Sequence, residues 1–539
     1  MNRILNSIFI LVVSLPALVV AQDDKEKPKP NWQNLDLKTD GVFGISTEKA
    51  YSLLKGKKST TVNVAVLDGG VDINHEDLKD VIWINKKEVI GNKADDDKNG
   101  YADDMHGWDF LGSERGTYQY DNLEVTRLVR RLQPKYASVI NSTPLEPKEK
   151  KEYELYKTLL EDYANNYQSA QRGQQVYSNI KKYTDQIVSK IGKKNLTLQD
   201  LDSYKTDDDN ESRTLKIIKN ALKKDADTFE EFYEQVTEGV KHFEAQVNYN
   251  YNLEFDPRDT VGDNYADTQE RFYGNNDVKG PDAEHGTHVA GIIGANRNNG
   301  IGIKGVADNV RIISVRTVPN GDERDKDVAN AIRYAVDNGA KVINMSFGKA
   351  YSPNKLAVDS AVRYAMSKDV LLVHAAGNES KNTDKERNFP NRNYVDSTGL
   401  NTGAAAAWIE VGASGWKNDE TLAADFSNYG KKAVDVFAPG VKINSTMPES
   451  KYKDNDGTSM ASPVVAGLAA LIRSYYPKFT AVEVKSIILE SVSKVDHKVK
   501  VRDGDGSKRV NFAEICVTGG IVNAYNAIQL AEKRYRKLF

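Results

Sequence analysis

Four short runs rich in Val and Ile, VNVAVLD, VRIISVRTV, AKVINMSF and VLLVHAAG, alternate with amphipathic stretches such as DVANAIRYAVDNG and LAVDSAVRYAMSKD. Continuous apolar runs of this length suit strands buried on both faces, and a helix-length segment between two of them is a crossover. The pattern predicts an α/β fold on a parallel sheet. In such sheets the functional groups gather at the carboxyl ends of the strands. Asp68, Ser346 and Asn378 each stand at or just beyond the end of one of these runs. No internal repeat of solenoid or propeller period competes with this reading.

Composition narrows the class. Hydrophobic residues make up 39% of the 539, enough for a sizeable core, and charged residues make up 28%. The 74 basic and 77 acidic side chains leave a net charge of -3, which disfavours a broadly basic nucleic-acid binder. A single cysteine, Cys516, excludes an intramolecular disulfide framework and any cysteine-cluster metal site.

Residues 1–21, MNRILNSIFILVVSLPALVVA, carry one early Arg, an apolar stretch from Ile8 to Val20 and small residues before the abruptly polar Gln22-Asp23-Asp24-Lys25. This is the pattern of a secretory signal peptide and is too short for a comfortable membrane span. It predicts an exported protein, periplasmic or secreted, with no membrane span once the leader is removed. No cysteine follows the apolar run, so no lipid anchor is expected there.

Residues 112–250 form a distinct zone rich in Lys, Glu, Tyr and Gln. Tyr156, Leu160, Tyr163, Tyr167 and Ala170, then Tyr177, Ile180, Ile187 and Ile191, recur at helical spacing. So do Leu215, Ile218 and Leu222, and later Phe229, Tyr233, Val236, Val240, Phe243 and Val247. Each series gives a charged helix one apolar stripe, which must be buried against a neighbour. The zone is expected to be a mostly helical insertion with a structural role. By position alone it is also placed to bind a partner or gate access.

Four segments hold polar residues that a packed strand or helix does not need. In VAVLDGGVDINHEDL, Asp68 ends an apolar strand, where a carboxylate can be buried and still orient an imidazole. In HGTHVAGIIGA, His285 is a candidate proton carrier and His288 its structural neighbour; a metalloprotease helix of the His-Glu type is missing. In DGTSMASPVVAGLAALI, Ser459 lies between a Gly-containing turn and a helix in which Pro463 is an early residue. In VLLVHAAGNES, Asn378 can offer a fixed amide to a developing oxyanion.

The four segments, in this order, resemble the Asp, His, oxyanion-Asn and Ser boxes of the subtilisin-like serine proteases. The resemblance covers roughly residues 40–111 and 251–535, and GGIVNAYNAIQLA resembles the family's last helix. It implies that residues 22–111 and 251–539 form one α/β, parallel-sheet peptidase domain interrupted by the insertion. It implies a serine endopeptidase acting on protein or peptide substrates through an acyl-enzyme, with no cofactor for catalysis. Carried over residue by residue, Ser459 is the nucleophile, His285 the proton carrier, Asp68 its orienting carboxylate, and the Asn378 side chain with the Ser459 N–H the oxyanion donors. NMSFG, with Ser346, Phe347 and Gly348, resembles the segment that pairs with an extended substrate. Ala376 and Gly377 of AAGN are expected to wall the pocket for the residue before the cut, with Glu379 just beyond.

Three departures stand out. Gly69 follows Asp68 where the family usually has Ser or Thr. Asp68 and His285 lie 217 residues apart, so the insertion must leave and re-enter the domain at nearby points. Only about 46 residues separate Gln22 from Asp68, too few for the family's usual prodomain plus a first strand, which makes the insertion a candidate regulator by position.

Residues 95–106, DDDKNGYADDMH, place Asp95, Asp97 and Asn99 at positions one, three and five of an oxygen-ligand loop, with Gly100 at six. The Tyr101 carbonyl and Asp103 or Asp104 are further donors. Hard oxygens at this spacing suit Ca²⁺, although His106 replaces the Glu that completes an EF-hand. Such density of like charge repels without a cation, and the family resemblance also implies structural calcium. The acidic loop from Asp256 to Asp267 is a weaker second candidate.

Overall fold

The computed structural model describes residues 27–140, 143–224, 226, 228–504 and 506–538. The leader-like segment 1–21 lies outside the described residues. By contact, residues Pro28–Tyr163 and Tyr249–Phe539 make one compact unit, and Ala164–Asn248 belong to a second.

The larger unit is built on β1 (Val62–Asp68), β2 (Gly107–Asp109), α1 (Glu124–Tyr136), α2 (Glu284–Gly294), β3 (Val310–Arg316), α3 (Asp325–Asp337), β4 (Val342–Met345), α4 (Lys355–Ser367), β5 (Leu371–Ala375), β6 (Trp408–Ser414), β7 (Val436–Pro439), α5 (Thr458–Tyr475), α6 (Ala481–Glu490), β8 (Ser493–Lys494) and β9 (Gly520–Ile521). The sheet runs in the order β8-β9-β7-β6-β5-β4-β1-β3-β2. Each of its pairs is parallel except β8 with β9. The α/β parallel-sheet fold expected from the alternating runs is therefore the one observed.

Strands β1, β4, β5 and β6 are buried on both faces because helices cover both. Val64, Val66, Val373 and Val411 face a core that includes Val289 and Ile293 of α2 and Val464, Val465 and Leu468 of α5. Ala65, Leu67, Ile343 and Leu372 face Ile332 and Ala335 of α3 and Val362 of α4. Adjacent side chains of each strand thus enter opposite cores, the period-two geometry of a pleated strand.

The compositional zone that begins at 112 is divided by the structure. Its first part belongs to the larger unit, where buried ion pairs tie it to distant segments. Arg324 reaches Asp121 at 2.7 Å, and Glu124 holds both Arg127 at 2.6 Å and Lys349 at 2.9 Å. Burial alone would favour the neutral Glu124 acid, but the two flanking cations hold its carboxyl well below the usual range. On the long helix Pro147–Ile191, Leu159 is fully buried while Leu160 is 38% exposed, one position away from the stripe read from the sequence. Tyr156 and Tyr136 of α1, with ring centroids 6.0 Å apart, lie on the same side as Leu159.

The smaller unit contains the latter part of that helix, then Leu198–Ser203, Asp209–Lys224 and Phe229–Ala245. Ile187, Leu201, Ile218, Leu222, Phe229 and Val236 form its core. Gly173 and Gly239 admit the rings of Phe243 and Tyr177: a Cβ at either glycine would stand 2.2 Å from the ring it faces. Most of the apolar stripes read from the sequence are the stripes that meet here.

Candidate active site

Three neighbouring strands carry the polar groups to one edge of the sheet. Asp68 is the last residue of β1, Ser346 follows β4, and Asn378 lies three residues beyond β5. The strands are adjacent in the order β5-β4-β1.

Asp68 is 2% exposed. Its Oδ1 accepts the Gly69 N–H at 2.7 Å, a main-chain bond that needs no hydroxyl at position 69. His285, in the first turn of α2, brings Nδ1 to 2.8 and 2.9 Å from the two Asp68 oxygens. Gly286 permits that approach: a Cβ there would lie 2.2 Å from the Gly70 carbonyl oxygen and 3.0 Å from Asp68 Cβ. The insertion therefore leaves Asp68 and His285 within direct contact. Burial draws the imidazole toward neutrality, but the Asp68 charge, its hydrogen bond and the nearby Asp282 more than offset this and hold the pKa above the ordinary histidine value. The outer part of the ring is open, with the side chain 46% exposed.

His288, one turn along α2, is fully buried and donates Nε2–H to the Lys453 carbonyl at 3.0 Å. Burial pushes its imidazole down to about 4, so it stays neutral and structural.

Ser459 is the second residue of α5, and Pro463 lies one turn inside the helix rather than at its start. A chain of hydrogen bonds fastens this first turn to β4. Ser462 Oγ donates to Asn344 Oδ1 at 2.8 Å, Asn344 Nδ2 to Ser346 Oγ at 2.9 Å, and Ser346 Oγ to the Ser459 carbonyl at 2.9 Å. The Ser459 hydroxyl donates to the Ser346 carbonyl at 3.1 Å; among the described residues it has no hydrogen bond to His285.

The Asn378 amide has a fixed orientation. Its Oδ1 accepts from the Thr458 N–H and from Thr458 Oγ1, each at 2.9 Å. A backbone N–H can only donate, so the oxygen must face Thr458 and the NH₂ must face away. Both donors expected for an oxyanion border one space. A methyl group built on Gly457 would stand 3.5 Å from Ser459 N and 3.6 Å from Asn378 Nδ2. Gly457 has φ of +151°, so its missing side chain and its backbone shape keep that space clear. The Ser459 N–H is also one of the first-turn donors that a helix leaves without an internal partner.

The two segments expected to bind substrate lie on either side of Asn388, which sequence reasoning missed. Asn388 Nδ2 donates to the Ala376 carbonyl at 3.1 Å, and a Cβ on Gly348 would meet Asn388 Oδ1 at 2.8 Å. Asn388 thus spans the gap between Ser346–Gly348 and Ala376–Gly377. Among the described residues neither the N–H nor the carbonyl of Gly348 takes part in a hydrogen bond. Glu379 accepts from Asn428 Nδ2 at 2.6 Å.

In the acidic loop the converging oxygens are those of Glu88, Asp95 and Asp97, all within 4.8 Å of one another. Glu88, seven residues before the motif, was not legible as part of it. Backbone donors hold the loop: Gly100 N–H reaches Asp95 at 2.8 Å, and Asp97 and Asp103 N–H reach Glu88 at 3.0 Å. Asp104 turns to other partners, accepting from Tyr334 at 2.6 Å, Asn85 at 2.7 Å and Asn99 at 3.0 Å. Its burial pushes the carboxyl up to about 6. The Asn99 side-chain Oδ1 accepts the Tyr101 N–H at 2.8 Å.

A carboxylate in contact with an imidazole, and a hydroxyl beside two amide donors, lie at one edge of a parallel sheet. A family model, Peptidase_S8, described as the subtilase family, matches residues 59–509. The chain belongs to the subtilase family. It is 38% identical over 245 residues to a thermophilic serine proteinase of Bacillus sp. (strain AK1), a match covering 45% of this chain and 52% of that protein. To Subtilisin Savinase of Lederbergia lenta it is 37% identical over 204 residues, 38% of this chain and 67% of that protein. The chain thus spans about half the length of the first of these relatives. A solved structure described as proteases from Pseudoalteromonas arctica PAMC 21717 aligns with 48% of this chain and 78% of that one, at 28% identity and a TM-score of 0.38.

Proposed function

We propose that this chain is a serine endopeptidase that hydrolyses protein or peptide bonds through an acyl-enzyme. The observation that carries the reading is the shared space beside Gly457. Two amide donors, Ser459 N and Asn378 Nδ2, border it at the residue that bears the hydroxyl. In this mechanism Ser459 Oγ turns from the Ser346 carbonyl toward His285, gives up its proton to Nε2 and attacks the scissile carbonyl. The carbonyl oxygen, now negative, takes hydrogen bonds from the two amides. His285 returns the proton to the leaving amine while Asp68 stays ionised and holds Nδ1–H. Water then enters by the same route to release the acyl group. No cofactor enters these steps.

Substrate is held as an extended strand. The unengaged N–H and carbonyl of Gly348 support main-chain pairing, which tolerates varied sequences. Ala376, Gly377 and Phe347 wall the pocket for the residue before the cut, with Asn388 between its sides.

The test is hydrolysis of casein by the purified chain together with labelling by a fluorophosphonate. Cleavage with the label on Ser459 is the expected result. A folded chain that neither cleaves nor takes the label would overturn the reading. Asn378→Ala removes one oxyanion donor and is expected to lower kcat by about 100- to 1000-fold with KM little changed. An equal loss in KM instead would assign Asn378 to ground-state binding.

Export to a periplasm or the exterior is part of the proposal, supported by the apolar stretch Ile8–Val20 between Arg3 and Gln22. Among the described residues no helix is long and apolar enough to cross a membrane. A structural Ca²⁺ would be held by Glu88, Asp95 and Asp97, whose oxygens converge although like charges at that range repel. Chelation is expected to lower Tm by about 5 °C, reversed by added Ca²⁺. Calorimetry without binding, and a Tm indifferent to chelator, would remove the site. The helical unit Ala164–Asn248 is assigned a structural role; a deletion that leaves folding yield and activity unchanged would exclude it as a regulator.

A further inference from the structure

Beneath the substrate-pairing segment lies a buried pair of titratable groups that the mechanism does not use. His374, on β5, is fully buried, and its strand neighbours are Met345 of β4 on one side and Glu410 of β6 on the other. Its two ring nitrogens reach across both neighbours. Nε2 is 2.8 Å from the Phe347 carbonyl oxygen, and Nδ1 is 2.9 Å from Glu410 Oε1. Glu410 is itself held: its Oε2 accepts Trp408 Nε1–H at 2.8 Å, and its own N–H donates to Asp435, which Arg392 grips at 2.7 and 2.9 Å. The Trp408 ring lies 5.4 Å from the imidazole, and both side chains are fully buried.

The proton placement follows from the partners. A carbonyl cannot donate, so the Nε2 bond requires a hydrogen on Nε2. The Nδ1 bond then needs a second proton between Nδ1 and the carboxylate. Without it, a lone pair would face an anion inside the core. Glu410 therefore secures the tautomer in which His374 donates to Phe347. In an extended segment successive carbonyls point to opposite sides. With the Phe347 carbonyl held inward, the next residue, Gly348, is exposed and its backbone is unengaged among the described residues.

Resting on the protease reading above, we infer that His374 is a positioning residue for extended substrates. Held by Glu410, it clamps the Phe347 carbonyl and so presents the Gly348 backbone for strand pairing. It touches neither substrate nor reacting atoms. The clamp therefore acts on binding along the substrate backbone, and only for substrates long enough to use it.

The test compares a long peptide substrate with a single-residue ester, alongside fluorophosphonate labelling, in wild type, His374→Leu, Glu410→Gln and Glu410→Leu. In His374→Leu the long-peptide KM is expected to rise by about 5- to 10-fold, the worth of a lost backbone hydrogen bond and a loosened strand. Its kcat, its ester KM and its labelling rate should stay near wild type, a split that general unfolding would not produce. Glu410→Gln should keep the long-peptide KM, because its amide N–H can donate to Nδ1 and leave Nε2–H for Phe347. Glu410→Leu should lose it. Equal KM changes for peptide and ester, or a Glu410→Gln variant as impaired as Glu410→Leu, would overturn the clamp. If His374→Leu does not fold, the two Glu410 variants decide by the same comparison. Absence of labelling in the wild-type chain would overturn the protease reading itself, which the KM comparison among active variants leaves intact.

Discussion

Ser459→Ala is expected to lower kcat for peptide hydrolysis by about 10⁶-fold, the scale at which a subtilisin responds to loss of its nucleophile. It should also abolish fluorophosphonate labelling. The side chain is small and half-buried, and among the described residues its one hydrogen bond is to the Ser346 carbonyl, so its removal should leave the fold in place. The neighbouring anchors, Ser346 Oγ to the Ser459 carbonyl and Ser462 Oγ to Asn344, do not use the hydroxyl. KM should therefore change little. The residual rate, roughly 10³- to 10⁴-fold above the reaction in water, belongs to the two oxyanion amides and to binding. A variant that retains labelling would move the nucleophile elsewhere; one that loses substrate binding as well as turnover would assign Ser459 to the scaffold.

Asp68→Asn is expected to lower kcat by about 10⁴-fold at neutral pH without disturbing the packing. The Asn amide has the shape of the carboxylate, and its oxygen can still accept the Gly69 N–H that Asp68 accepts at 2.7 Å. Its NH₂ then faces His285 Nδ1 and donates to it, leaving the ring hydrogen on Nε2. The nitrogen that should accept the Ser459 proton is then already protonated. The pH profile carries a second signature. Catalysis needs the unprotonated imidazole, so the rate rises as pH passes upward through the His285 pKa. In the native site burial lowers that pKa, but the Asp68 charge more than offsets it, placing the acid limb above the ordinary histidine value. Removing the charge leaves burial and the weaker Asp282 influence, so the acid limb should move to lower pH. A kcat/KM profile measured across the histidine range checks this. An acid limb that stays in place would mean that another group sets it.

The local surroundings of the candidate site were the most legible part of the chain. Asp68, His285, Asn378 and Ser459 each lie within a few residues of the glycines and strand ends that hold them, so the reason for each is local. Gly286 beside His285 and Gly457 beside Ser459 are examples. Each is a position where a Cβ would intrude on Asp68 or on the space bordered by Ser459 N and Asn378 Nδ2. The helical periodicity of the insertion was legible for the same reason, although one position was misjudged, Leu160 for Leu159. A period of 3.6 leaves neighbouring positions at the edge of a stripe nearly equivalent until a partner chooses between them.

Other features depended on residues far apart in the chain. The change in composition at 112 marks where charge becomes dense. Contacts instead place the boundary of the compact unit at Ala164, because Glu124 and Asp121 are buried on cations at 349 and 324. In sequence those acids look like any solvated helix face. Glu88 joins Asp95 and Asp97 only when the loop folds back, and Asp104 leaves them for Tyr334, 230 residues away. Asn388 meets Ala376 and Gly348, and His374 meets Glu410, only through the sheet order.

The sequence alone determined the α/β class, the order of the chemical groups and the strand ends at which they would stand. Backbone sterics, apolar periodicity and strand-end position act over a few residues and are written in them. Which charges are buried in pairs, where the second compact unit begins and which groups the buried His374 meets were decided by the tertiary structure. A buried ion pair or imidazole is tolerable only when a specific partner meets it within hydrogen-bond distance. That meeting is a property of how strands and helices are arranged in space, and the local sequence does not carry it.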